Sequence, residues 1–281
     1  MCVCFLAIGI NPEFPLILAA NRDEFFDRPA RPAHFWPAHP DFFAGQDLQA
    51  GGTWFGVTQA GRWALVMNFR LVGLPENPEA LSRGSLVTDF VFSQKTDRAW
   101  LEELSPRMDR YRPFNLLVGD LGFSASPHWV GYREPVPVEI SRGIHGFSNG
   151  PRNADWPKVR RGREKISEIL RSYSGATEAP RADVVIDELI ALLRDEARAP
   201  DEVLPDTGVG LARERELSSI FVRVPEKNGE ISRYGTRASS VLLVDQKGNL
   251  TFREVSYGVT GEVLTVNSMK STTLRTKNFS S

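Results

Sequence analysis

The first residues of the chain show no polar–apolar alternation: Cys2-Val3-Cys4-Phe5-Leu6-Ala7-Ile8 is apolar throughout. A short unbroken apolar run bounded by turn residues predicts a strand buried on both faces. Asn11-Pro12-Glu13-Phe14-Pro15 is a turn signal, and Leu16-Ile17-Leu18-Ala19-Ala20 repeats the run. Together they predict a hairpin whose second strand returns beside Cys2 and ends in Asn21-Arg22-Asp23-Glu24.

The same reading continues along the chain. Phe25 to Asp41, rich in Pro and aromatic residues, is expected to be an ordered loop. Gly51 to Val57 and Arg62 to Asn68 are expected strands. No Lys-Ser/Thr follows Gly51-Gly52, so close backbone packing in a bulge is a better reading than a phosphate cradle. Ser82 to Tyr111 turns helical, with Leu86, Phe90, Val91, Trp100, Leu101 and Leu104 at helical spacing and Ser105-Pro106 reading as an N-terminal cap. Strands resume at Phe114–Asp120, Trp129–Tyr132 and Gly143–Phe147.

A helix capped by Asp155 runs to about Tyr173, and another spans about Ala182 to Ala197. Pro200 to Gly210 reads as a loop and Ser219 to Val224 as a strand. Tyr234 to Ser240 leads into a hairpin of Val241–Asp245 and Leu250–Tyr257. Thr265 to Ser281 is either a tail or a docked edge. Blocks of hairpin-linked strands alternate with helical blocks, which favours an α+β arrangement of antiparallel sheets covered by helices over a βαβ order. The whole of 1–281 is expected to be one domain, with the residues after about 260 as the tail or edge.

Composition narrows the partners. The 281 residues are 41% hydrophobic and 25% charged, with a formal net charge of -1, so no basic excess points to nucleic acid. Arg160, Arg161, Arg163 and Lys165 interleave with Glu164 and Glu168, as on a solvated helix face. No run approaches the length of a membrane span and the N-terminus lacks a signal-peptide pattern, so a cytoplasmic location is expected. Cys2 and Cys4 are the two cysteines; two apart on a strand, they suit neither a disulfide nor a zinc site.

Cys2 is where chemistry enters. Removal of Met1 would leave one residue with both a thiol and a free α-amine. An N-terminal amine has a reference pKa of about 7.7–8 and can serve as the base that activates the thiol. The other reading is a small buried hydrophobe.

Met1-Cys2, Ala20-Asn21-Arg22-Asp23-Glu24-Phe25, Ala50-Gly51-Gly52-Thr53-Trp54, Ser148-Asn149-Gly150, Trp156-Pro157-Lys158-Val159 and Tyr234-Gly235-Thr236-Arg237 occur in this order. Through them the chain resembles the NRDE-motif family, whose best-known members are called transport and Golgi organisation protein 2. That family is similar to a branch of the N-terminal-nucleophile hydrolase superfamily. The resemblance implies a four-layer αββα sandwich and an amidohydrolase or acyl hydrolase acting on a small amide or thioester. It implies Cys2 as nucleophile, Asp23 on the α-amine, Asn149 supporting nucleophile and oxyanion, and Arg237 stabilising the site. Arg22, Asn68 and Trp54 are the implied substrate-side residues, with no metal. Ala20 departs from the arginine of those hydrolases, and Arg22 lies instead between Asn21 and Asp23. The family is also associated with haem trafficking, so a haem-binding protein is the alternative, with His34, His39, His128 and His145 as candidate ligands near the aromatic residues around Trp36.

Overall fold

The computed structural model describes residues 2–73, 77–122, 126–173, 181–224 and 233–271. Met1 and the stretch 272–281 lie outside the described residues. The chain runs β1 (Cys2–Ile8), β2 (Leu16–Phe25), β3 (Ala30–Trp36), β4 (His39–Asp47), β5 (Phe55–Thr58), β6 (Arg62–Asn68), α1 (Gly84–Val91) and α2 (Asp97–Leu104). It continues with β7 (Phe114–Asp120), β8 (His128–Gly131), β9 (Glu134–Glu139), β10 (Gly143–Phe147), α3 (Pro157–Ser172), α4 (Ala182–Leu193), α5 (Leu211–Glu216), β11 (Tyr234–Val244), β12 (Leu250–Tyr257) and β13 (Val263–Ser271).

These strands form two sheets, one ordered β10-β1-β2-β11-β12-β13 and the other β3-β4-β5-β6-β7-β8-β9, with antiparallel pairing throughout. Side chains on a strand alternate between faces, and this explains the unbroken apolar runs. Cys4, Leu6, Ile8, Leu16, Leu18 and Ala20 pack between the sheets against Phe55, Trp63, Leu65 and Leu117. Their neighbours Val3, Phe5, Ala7, Ile17 and Ala19 pack outward against Ile166 and Leu170 of α3 and Val185 and Leu189 of α4. On the far side Ala64, Val66, Leu116 and Val118 meet Leu86 and Phe90 of α1 and Leu101 and Leu104 of α2. Each layer boundary thus has an apolar cluster, and the result is the four-layer αββα sandwich. The approach of α3 is close: a Cβ on Gly162 would lie 2.0 Å from the Phe5 ring.

Several local expectations are corrected. Phe25 to Asp41 is not a loop. It contains β3 and the start of β4, and Pro32 sits where the register shifts between Arg31 and His34 on the sheet's edge strand. An edge position or a bulge does not need the N–H that proline lacks. The opposite edge, β9, holds Pro135 and Pro137 and is hidden in the sequence for the same reason. Ser219 to Val224 is not a strand; its one ladder contact is an isolated bridge between Arg223 and Gly235. Ser105 lies in helical backbone and donates to the Leu101 carbonyl, so Ser105–Arg110 is a 3₁₀ continuation of α2, not a capped new helix. Asp155 does not cap α3 but pairs with Arg160 at 3.2 Å. α4 ends at Leu193, and α5 lies in a stretch without a predicted element. From Val263 to Ser271 the chain is a docked edge strand rather than a tail.

Gly52 packs against the backbone of Gly84, 2.4 Å from an added Cβ, so it serves close approach in the turn before β5 rather than in a strand bulge, whereas Gly51 has nothing within 4 Å of an added Cβ and instead has a φ of 78°. No described helix is long and apolar enough to cross a membrane.

Candidate active site

Register brings the scattered polar residues to one end of the six-stranded sheet. Cys2 pairs across from Arg22, Thr236 across from Asp23, and Cys4 across from Phe147. The chain leaving β10 after Phe147 therefore carries Ser148 and Asn149 past the start of β1. The Cys2 backbone N–H donates to Asn149 Oδ1 at 3.1 Å, and Ser148 Oγ donates to the Cys2 carbonyl at 2.9 Å. Asn149 is fully buried, and its Nδ2 donates to the Asn68 carbonyl at 2.7 Å. Each half of its amide thus has a partner, the Cys2 nitrogen for one and the end of β6 for the other. Asn115 Nδ2 holds the same turn through the carbonyls of Ser148 and Gly150, at 3.1 and 2.8 Å.

Alternation along β2 then sorts the motif residues. Ala20 faces the space between the sheets and Ala19 faces the helices, so Arg22 follows the first and Asn21 and Asp23 the second. On the cleft side, the Arg22 guanidinium lies 4.2 Å from the Trp54 ring centre and 3.5 Å from Asp47. Arg28 anchors the same Asp47 at 2.6 Å. Cys2, Arg22, Trp54, Asn68, Arg83 and Arg112 are among the residues around a cleft of about 350 Å³. On the helix side, Asp23 Oδ1 accepts from Thr236 Oγ1 at 2.6 Å, and its carbonyl accepts from Tyr234 at 3.2 Å.

The electrostatics are those of a closed site. Burial pushes the Cys2 thiol up from its usual range and the Asp23 carboxylate adds to this, while a hydrogen bond from the Asp23 backbone and the Arg22 charge oppose it. Burial also raises the Asp23 carboxyl, against Lys158 and the Thr236 hydrogen bond. Both shifts favour the neutral forms, a thiol at Cys2 and an acid at Asp23.

Most of the residues expected from the sequence come together: Cys2, Asp23 and Asn149 at the strand ends, with Arg22, Trp54 and Asn68 on the cleft. Arg237 stands apart. It occupies the irregularity between Thr236 and Ala238, and its guanidinium donates to the carbonyls of Phe25 (3.1 Å) and Arg28 and lies over the Phe26 ring. It braces the end of β2 and the turn that delivers Arg28. Asn149 Nδ2 gives one of its two N–H groups to the Asn68 carbonyl.

The sequence reading assigned no part to Lys158. This residue of the first turn of α3 is 2% exposed, and its Nζ has no hydrogen-bond partner among the described residues. A signal was available, because a cation in a helix's first turn opposes the helix dipole.

The histidines are dispersed. His34 meets the Pro32 carbonyl, His39 stacks on Phe92, His128 pairs with Asp97 and His145 meets the Ser141 carbonyl. None is among the residues that line the cleft at Cys2. No cluster of three or more metal-ligating side chains occurs among the described residues.

The model of the family described as Transport and Golgi organisation 2 matches residues 1–258. The chain is 33% identical to the Transport and Golgi organization protein 2 homolog of Bos taurus over 91% of this chain and 93% of the relative. It is 31% identical to the Homo sapiens homolog over 91% and 93%, and 30% identical to the Drosophila melanogaster protein over 90% and 91%. Among solved structures it is similar to the C2A mutant of conjugated bile acid hydrolase from Clostridium perfringens (TM-score 0.47, 8% identity, 100% of this chain and 94% of that one). It is also similar to a Caenorhabditis elegans ortholog of N-acylethanolamine-hydrolyzing acid amidase (TM-score 0.44, 11% identity, 86% and 92%).

Proposed function

The chain belongs to the Transport and Golgi organisation 2 family, and we propose that it is a cysteine acyl hydrolase whose nucleophile is Cys2 after removal of Met1. The observation that carries this reading is the treatment of the Cys2 nitrogen. A buried asparagine side chain is spent on it, with Asn149 Oδ1 at 3.1 Å, and a buried carboxylate lies beside the residue. An ordinary strand residue needs only backbone partners for its N–H. A nitrogen that must bind and release a proton needs a polar acceptor and a counter-charge, and this one has both.

In the proposed reaction, the free α-amine takes the thiol proton as sulfur forms a bond to the carbonyl carbon of an amide or thioester. The carbonyl π pair moves to oxygen, where the Asn68 side chain on the cleft and the second N–H of Asn149 Nδ2 are the proposed donors. When the C–N or C–S bond breaks, the ammonium returns its proton to the leaving group. Water, deprotonated by the same amine, then releases the acid and restores the thiol. Asp23 orients the amine and stabilises its charged form, as an orienting carboxylate does for an imidazole. Arg22 supports the developing charge at sulfur from the cleft side.

Haem handling is the alternative for this fold. The cleft at Cys2 offers haem no imidazole, since none of the four histidines lines it; the pocket that His39 lines with Trp36 and Phe92 is where this alternative would act.

The test is turnover of a chromogenic thioester by the processed chain and by Cys2→Ala. The reading expects Cys2→Ala to remove turnover while leaving the fold intact. Equal turnover by the two proteins would overturn it.

A further inference from the structure

Lys158 is the group around the site that the proposed chemistry leaves unused. Its ammonium is disfavoured three times over: it is buried, it sits in the first turn of α3 where the helix dipole is positive, and Arg70 is close. A lysine in such a place, with no hydrogen bond to hold it, is held by charge.

The charged and titratable groups acting on Lys158 come from four neighbouring elements: Asp23 on β2, Arg70 just after β6, Cys2 on β1 and Glu214 on α5. Two of these cancel. Arg70 Nη1 pairs with Glu214 at 2.5 Å, and Glu214 is completed by the backbone and hydroxyl of Thr207. What remains is one carboxylate, Asp23, and two amines, Lys158 and the α-amine of processed Cys2. A buried carboxylate balances one positive charge well and two poorly. The two amines therefore compete for a single proton.

We infer that Lys158 is a positioning residue for the reaction proposed above: by carrying the one positive charge that Asp23 balances, it keeps the Cys2 α-amine unprotonated and available as the base. The inference rests on that reaction. It also explains the placement of Asp23. Alone, a carboxylate beside the α-amine would lock it in its ammonium form and spoil it as a base. Placed between two amines, the same carboxylate holds the resting charge on Lys158 and is still near when the α-amine becomes charged in the transition state. Burial lowers Lys158 to about 8, against the pull of Asp23, so its proton is within reach of the same pH range as the α-amine.

The experiment measures acylation of the processed full-length chain by p-nitrophenyl acetate across pH, for the unmutated protein, Lys158→Met and Lys158→Arg. Without the lysine charge, Asp23 holds a proton on the α-amine to higher pH. Lys158→Met is expected to move the acid limb up by at least one pH unit, leaving acylation at pH 7 at least tenfold slower and the high-pH plateau unchanged. Lys158→Arg, which keeps the charge, is expected to bring the limb back. A limb in folded Lys158→Met that coincides with the unmutated one overturns the inference while leaving the nucleophile intact. Absence of acylation in the unmutated protein overturns both.

Should Lys158→Met fail to fold, the unmutated protein labelled at lysine Cε carries the test by NMR. One lysine is expected to titrate near pH 8, and its midpoint to rise when the α-amine is acetylated. Only ordinary lysine midpoints, or a midpoint indifferent to the acetylation, would equally overturn it.

Discussion

The two faces of β2 have the same backbone and opposite tasks. Asn21 and Asp23 point toward the helices, two residues apart on one strand, yet they differ completely in what surrounds them. Asn21 is closed by neutral partners: it donates to the carbonyls of Leu193 and Ile220 at 2.8 and 2.9 Å and accepts from Ser239 at 2.6 Å. Those bonds tie the sheet to the end of α4 and to the irregular segment before β11. Asp23 instead sits among titratable groups, with Lys158, Glu24 and Cys2 all close enough to act on it. On the cleft side Arg22 stacks on Trp54 and is steadied by Asp47. A four-residue motif thus divides into an anchor, a charge carrier and a cleft wall, and the strand's period of two does the dividing.

That division breaks most visibly at Asp23. Asp23→Asn keeps the shape and the Thr236 contact but removes the counter-charge, and acyl transfer is expected to fall by about a thousandfold. The measurement is single-turnover acylation beside a denaturation curve, which should show a far smaller change.

Asn21→Ala reverses the outcome. It strands two buried carbonyls and a hydroxyl, and is expected to lower stability by on the order of 3 kcal/mol by urea titration. The rate per folded molecule should stay within a fewfold. Comparable effects of both substitutions on stability would erase the distinction between anchor and charge carrier.

Behind the cleft wall, Glu254 accepts from the Ala33 backbone of the facing sheet at 2.7 Å and from Ser240 at 3.2 Å. Burial raises its carboxyl to about 7. The fold thus keeps this proton while the unfolded chain loses it from about pH 4.3 upward. Its contribution is most favourable at low pH and is lost as pH rises to about 7, on the order of 3 kcal/mol. Glu254→Gln should flatten that slope in denaturation curves measured at pH 5 and pH 7.5.

Arg22→Gln is the mildest. It removes the charge beside the thiol and the contact with Trp54, and about a tenfold slower alkylation of Cys2 is expected. An unchanged rate would detach Arg22 from the sulfur.

The parts of this architecture that could be read from sequence are those whose burial is two-sided. β1, the first half of β2, the middle of β7 and the last four residues of β11 are unbroken apolar runs because both faces are covered, and such runs are visible without a structure. The edges were not visible: β3 and β9 carry prolines that interior strands exclude. Ser219 to Val224 misled in the opposite sense. Ile220 to Val222 is apolar and buried, but side chains take part of its backbone bonding, with the Ile220 carbonyl met by Asn21 and the Val222 N–H by Thr236, while the Phe221 N–H goes to the Asp195 carbonyl outside any ladder.

The site shows the same contrast. Cys2, Asp23 and Asn149 lie at strand ends and were legible as a motif. Arg237 was legible as a residue but not as a brace, because the irregularity that turns it toward Phe25 and Arg28 leaves no mark in the sequence. Lys158 left only the weak signal of a cation in a helix's first turn, since a lysine there ordinarily faces water, and its burial shows only in the fold.

All of this rests on a free amine at Cys2. N-terminal sequencing of the purified, folded chain, joined to mass mapping of the adduct left by a slow thioester, measures that directly. The account predicts cysteine as the first residue and the acyl group on its sulfur. A chain that begins with methionine and still turns over the thioester, or one whose acyl group sits elsewhere, would contradict it.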